Sequence, residues 1–137
     1  MFTPVKYDSG KVLRLPVTAS ATLTKFNHCK MTSGYLAAGD AGDNEASYIA
    51  LETVTDATAV NGSTFCDVLP VDDAVEFEAL CTATLVQATH VGNDYDFSTA
   101  AIVDLAATTD KIFHIDAIVG AGTDRIAYGR FNKPALA

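Results

Sequence analysis

Apolar and polar residues alternate with period 2 along most of this chain. In Val75-Glu76-Phe77-Glu78-Ala79 the apolar side chains fall on one face and the two glutamates on the other, as a half-buried strand requires. Near the C-terminus Phe113, Ile115, Ala117 and Val119 share a face, with His114 and Asp116 opposite. Gly120 to Asp124 then turns the chain into Arg125 to Phe131, which predicts a β-hairpin with a glycine-rich loop. Further strands are predicted over Lys11–Val17, Ala21–Phe26, Met31–Ala37, Ser47–Thr55, Phe65–Leu69 and Thr84–Val91. Breakers separate them at Asp8-Ser9-Gly10, Gly39 to Asn44, Asn61-Gly62-Ser63 and Gly92-Asn93-Asp94. Ser98 to Ala106 fits either a helix capped by Ser98 or a short strand at Ile102–Leu105. The spacing is that of an all-β sandwich or barrel, a single domain over residues 11–137. Residues 1–10, with Pro4 and few regular apolar positions, are expected to form an extended N-terminal arm.

Composition supports one folded core: 137 residues, 49% of them apolar, are enough to bury roughly two thirds of the unfolded surface. The longest apolar runs, such as Ala100–Val103 and Ala117–Ala121, fall far short of the ~20 residues of a membrane span. The opening Met1-Phe2-Thr3-Pro4-Val5-Lys6 lacks the apolar stretch of a secretory signal, so a protein made and used without crossing a membrane is expected. Charge adds a sharper feature. No Lys or Arg occurs between Met31 and Asp110; all nine lie in the flanks, while fourteen of the seventeen acidic residues lie in the middle, for a net charge of -8. Such a surface repels nucleic acid, and none is expected as a partner. If the termini lie together, the flanks would form a positive pole suited to docking, with Phe2, Val5, Tyr7, Phe26, Tyr128 and Phe131 as apolar anchors. The partner would be an acidic surface of another protein or the acidic flank of an identical subunit.

Candidate chemistry is sparse. Cys29, Cys66 and Cys81 form an odd set without Cys-x-x-Cys spacing, which predicts free, buried thiols. His28 and Cys29 are neighbours on a predicted strand, so they point to opposite faces. His90 and His114 have no partner at metal-ligand spacing. The loop from Asp40 to Glu45 gathers oxygen ligands of the kind calcium prefers, with Asp40, Asp43 and Glu45 the candidates, but its spacing is not that of an EF-hand and a solvated turn is expected. The loop Gly92 to Asp96 has the same standing. The carboxylate pairs Asp72/Asp73 and Glu76/Glu78 lack the aromatic platforms of a sugar site, and the chain has no Trp. No phosphate loop, nucleophile elbow or dinucleotide fingerprint occurs, so neither enzyme activity nor a cofactor is expected.

Gly34-Tyr35-Leu36-Ala37-Ala38-Gly39, Ser47-Tyr48-Ile49-Ala50-Leu51, His90-Val91-Gly92-Asn93-Asp94-Tyr95 and the closing Tyr128-Gly129-Arg130-Phe131-Asn132 sit in a Gly/Ala/Asp-rich β body behind the N-terminal stretch. In this style the chain resembles the capsid decoration, or cement, proteins of tailed bacteriophages. The resemblance implies a compact β-barrel or β-tulip that trimerises on the capsid surface and clamps neighbouring major capsid proteins. It also implies a place in the virion, after assembly in the host cytoplasm. In that picture Phe2 to Lys11 reaches along the capsid and adds a strand to an exposed edge. Lys6, Lys11 and Arg14 would supply charge there, and Phe2, Val5 and Tyr7 apolar contact. Deleting Met1 to Ser9 is then expected to leave the domain folded and abolish binding. Two other readings stay open: a small ligand- or metal-binding β-barrel without enzymatic activity, and another minor head or tail component.

Overall fold

A computed structural model describes residues 1–44, 46–72 and 74–132. Its organising strand is the one with the cleanest alternation, β9 (Phe77–Cys81), in which Phe77, Ala79 and Cys81 point inward and Glu78 and Leu80 outward. One edge of β9 pairs antiparallel with β13 (Ile126–Phe131). The other takes β1 (Phe2–Pro4) antiparallel over Phe77–Ala79, then β11 (Ile102–Asp104) parallel over Leu80 and Cys81. β11 pairs with β10 (Asp94–Thr99), β10 with β12 (Phe113–Ile118), and β12 returns to β13. These five strands close a barrel, and a closed sheet leaves no internal edge unpaired. The expected all-β barrel is present.

Phenylalanines fill the barrel. Phe2, Phe77, Phe97, Phe113 and Phe131 are all buried, and the Phe131 ring lies 5.1–6.1 Å, centroid to centroid, from the other four. Gly129 makes this packing possible: a Cβ there would lie 2.0 Å from the His114 carbonyl oxygen and 2.7 Å from the Phe113 ring. The predicted hairpin is β12–β13, but its alternation changes phase. Ile115 pairs with Gly129 and Ala117 with Tyr128, so Asp116 is the extra residue of a bulge. Beyond it Ala117 is exposed and Ile118 packs on the core, the reverse of the predicted faces.

A second antiparallel sheet runs β2 (Leu13–Pro16), β8 (Phe65–Pro70), β6 (Tyr48–Ala50), β4 (His28–Thr32), β5 (Tyr35–Ala38). A parallel bridge from Val17 to Leu36 joins its two ends. One face packs Ile49 and Leu69 on the barrel core; the other buries Tyr48, Ala50, Cys66 and Val68 in a core of its own with Val17, Leu23, Cys29 and Leu36. Burial on both faces accounts for the unbroken apolar run Tyr48-Ile49-Ala50. A short ribbon of β3 (Thr22–Leu23) and β7 (Val54–Thr55) accompanies this second core.

Several expectations change. The N-terminal arm is not free over residues 2–4: β1 is part of the barrel sheet, Phe2 is 0% exposed, and its N–H reaches the Phe26 carbonyl at 2.6 Å. A single aromatic side chain that completes a core outweighs the absence of a period. The predicted strand Met31–Ala37 is the hairpin β4–β5, turning at Ser33 and Gly34, both with positive φ. Thr84–Val91 is no strand; it holds the one-turn helix α1 (Gln87–His90). Ser98 to Ala106 resolves to strand, the end of β10 and β11. Two buried carboxylates hold loops in place of regular structure. Asp96 accepts the N–H groups of Thr109, Asp110 and Lys111 at 3.0, 2.8 and 2.7 Å. Asp56 accepts the N–H and hydroxyl of Thr58 at 2.8 and 2.7 Å. Among the described residues no helix is long and apolar enough to cross a membrane.

Candidate functional site

The N-terminal residues assigned to partner contact separate into two groups. Phe2 is inside the barrel and cannot touch a partner, and Phe131, one of the expected anchors, is equally buried. Val5 and Tyr7 are exposed, at 47% and 41%, where the chain leaves β1. The Val5 N–H donates to the Glu76 carbonyl at 2.9 Å, and the loop that follows β8 also meets Lys11, whose ammonium lies 3.5 Å from Asp72. Val5 and Lys11 therefore flank the same loop.

Beyond it, β2 and β8 carry Arg14 and Asp67 as cross-strand partners. The Arg14 guanidinium lies 3.0 Å from Asp67 and 3.7 Å from Glu52, and it approaches the Phe65 ring at 6.0 Å. Period 2 explains why Phe65 is open. Leu69, Asp67 and Phe65 share a face of β8, and the barrel covers that face only at Leu69. Phe65 is left 43% exposed; Leu13, paired with Val68 and so on the opposite face of the sheet, is 38% exposed. Sequence reasoning did not single out these two; the alternation along Phe65–Leu69 was the available signal, but which end of that face is covered is a tertiary fact.

Four of the flanking cations are paired within the fold. Lys11, Arg14 and Lys30 each bond to acids of the central stretch, and Arg130 lies 3.6 Å from Asp116. Exposed pairs of this kind are worth at most about 1 kcal/mol each, so they yield readily to a partner's charges.

The acidic loop is occupied by the chain's own cation. The Lys30 ammonium donates to Asp40 at 3.0 Å and to Asp43 at 2.7 Å, while Asp40 accepts the Gly42 N–H and Asp43 the Asp40 N–H. The two hydrogen bonds raise the Lys30 pKa, and the bond from Lys30 lowers that of Asp40. The one ammonium offsets half the charge of the two carboxylates where calcium was considered; Glu45 lies outside the described residues. Asp94 and Asp96 of the second acidic loop are likewise engaged, Asp94 by His114 Nδ1 at 2.6 Å. Among the described residues no group of three or more His, Cys, Asp or Glu side chains could hold a metal ion.

Next to the Lys30 pair lies His28, its side chain fully buried and stacked on Phe97 at 4.7 Å. Its Nε2 accepts the Ser47 N–H at 3.0 Å, which places the ring proton on Nδ1, 3.5 Å from Asp43. Burial lowers its pKa to about 4, against the raising effect of Asp43. Gly39 is required here, because a Cβ would lie 2.3 Å from Nδ1. As expected from strand geometry, Cys29 points the other way, into the second core, and burial pushes its thiol up to about 12. All three cysteines are free and buried, and none is an activated nucleophile. A small, partly open cavity beside His28, of about 50 Å³, has room for a water molecule.

What remains accessible is apolar Phe65 beside Arg14 on one face of β2 and β8, and Val5, Lys6 and Tyr7 where the chain leaves β1. Compared with protein-family models, curated proteins and solved structures, the chain gives no match.

Proposed function

We propose that this chain is a structural virion protein that binds the outer surface of a tailed-phage capsid as an oligomer and stiffens the shell. The observation that carries the reading is the exposed Phe65 ring of β8 beside the Arg14 guanidinium of β2, on the face that the barrel leaves uncovered. An apolar ring beside a cation already partly neutralised suits a protein partner better than a polyanion. Strand β2 offers a second means of attachment. Residues Leu13–Pro16 have a ladder partner on one side only, β8, and the bridge to Leu36 lies beyond the strand at Val17. An extended segment of the major capsid protein can add to that free edge. Modest contacts are sufficient, since many copies on one shell act together.

The test is co-sedimentation of the purified protein with expanded heads assembled from the cognate major capsid protein. Saturable binding is expected, weakened more than about ten-fold when Arg14→Glu and Phe65→Asp are combined. Absence of binding by the unmodified protein overturns the proposal. Undiminished binding by the double variant removes this face from it.

A further inference from the structure

The outer surface of β9 carries a second uncovered patch. Leu80, facing away from the barrel interior, pairs with Ile102 on one side and Ile126 on the other, making an apolar row across three strands. Beside it lies a groove of about 210 Å³ lined by Met1, Thr3, Glu78, Leu80 and Ile126. Four of these walls offer carbon surface, and the fifth is a carboxylate. Among the described residues Glu78 makes no hydrogen bond or ion pair, although the hydroxyl of its cross-strand partner Tyr128 is taken by Glu76. An unpaired acid in an apolar groove selects an occupant that brings a cation between apolar groups.

The chain itself presents such a segment. Val5 and Tyr7 are exposed on either side of Lys6, which has no partner among the described residues. It cannot fill its own groove, because β1 holds Met1 beside Leu80 and Val5 beside Glu76, at opposite ends of the strand. We infer that the groove receives the Val5-Lys6-Tyr7 segment of a second copy of this chain, with Lys6 set against Glu78. Each copy gives one segment and accepts one, so association closes as a reciprocal pair or a ring. The inference rests on the self-association proposed above, and it takes Val5, Lys6 and Tyr7 from the shell face, leaving Arg14 and Phe65 there.

The experiment is light scattering on size exclusion over a range of concentrations, for the unmodified protein, Lys6→Glu, Glu78→Lys and the double exchange. Both substitutions are at surface positions, and circular dichroism checks that each variant is folded. Association is expected for the unmodified protein, a shift to about ten-fold higher concentration for each single reversal, and recovery in the double exchange. A Glu78→Lys variant that associates normally, a double exchange that does not recover, or an unmodified protein that is monomeric throughout overturns the inference. Co-sedimentation with heads separates the two proposals. Normal shell binding with an oligomer indifferent to Glu78→Lys sinks only the groove contact, and loss of shell binding with a charge-dependent oligomer sinks only the shell reading.

Discussion

Acid should weaken this fold through His28 before it acts on the carboxylates. The imidazole is fully buried, faces Asp43, Lys30 and Asp40, stacks on Phe97, and uses Nε2 to accept the Ser47 N–H. Protonating Nε2 destroys that acceptor and places a charge between two packed sheets. Folding holds the pKa near 4, whereas the ordinary value is 6.5, so below pH 6.5 the unfolded chain binds a proton that the folded chain refuses. Stability is therefore lost as pH falls through 6.5 and levels off below about 4. A gap of this size corresponds to about 3 kcal/mol, most of it lost by about pH 4.5, when most carboxylates are still ionised. The assay is urea unfolding at pH 7 and pH 4.5, for the unmodified protein and for His28→Gln, which keeps an acceptor but does not titrate. With a slope of ~1–3 kcal/mol per molar urea, the unmodified midpoint should fall by roughly 1–2 M more than that of the variant. The comparison cancels His90, His114 and the carboxylates. Equal acid shifts in the two proteins would refute the reasoning.

Two further outcomes follow from the packing. Phe2→Ala removes a ring touching Phe97, Phe113 and Phe131, and should cost about 3–5 kcal/mol in chemical denaturation; deletion of Met1 to Ser9 should be at least as damaging, contrary to the behaviour of a free arm. Asp96→Ala removes the acceptor of three part-buried N–H groups and should cost about 2–3 kcal/mol, with hydrogen exchange at Thr109, Asp110 and Lys111 accelerating first.

Local pattern by itself determined the all-β class, β9, the closing hairpin and the free buried cysteines, because period 2 and turn residues act over a few positions. It could not register what depends on residues far apart in the chain. Phe2 looked like part of an arm because one apolar residue beside Pro4 has no period; only the barrel, with a vacancy among four other phenylalanines, makes it core. The bulge at Asp116 reversed the faces of Ala117 and Ile118 because register is set by the partner strand. The charge asymmetry was legible, but its meaning changed on folding. Strand pairing set Arg14 beside Asp67, and the β4–β5 hairpin brought Lys30 to Asp40 and Asp43, so part of the basic flank is paired with the acidic stretch. Exposure of Phe65 was likewise decided by where the barrel stops covering the second sheet. Alternation states that a residue has a face, and only the packing of one sheet on another states whether that face is covered.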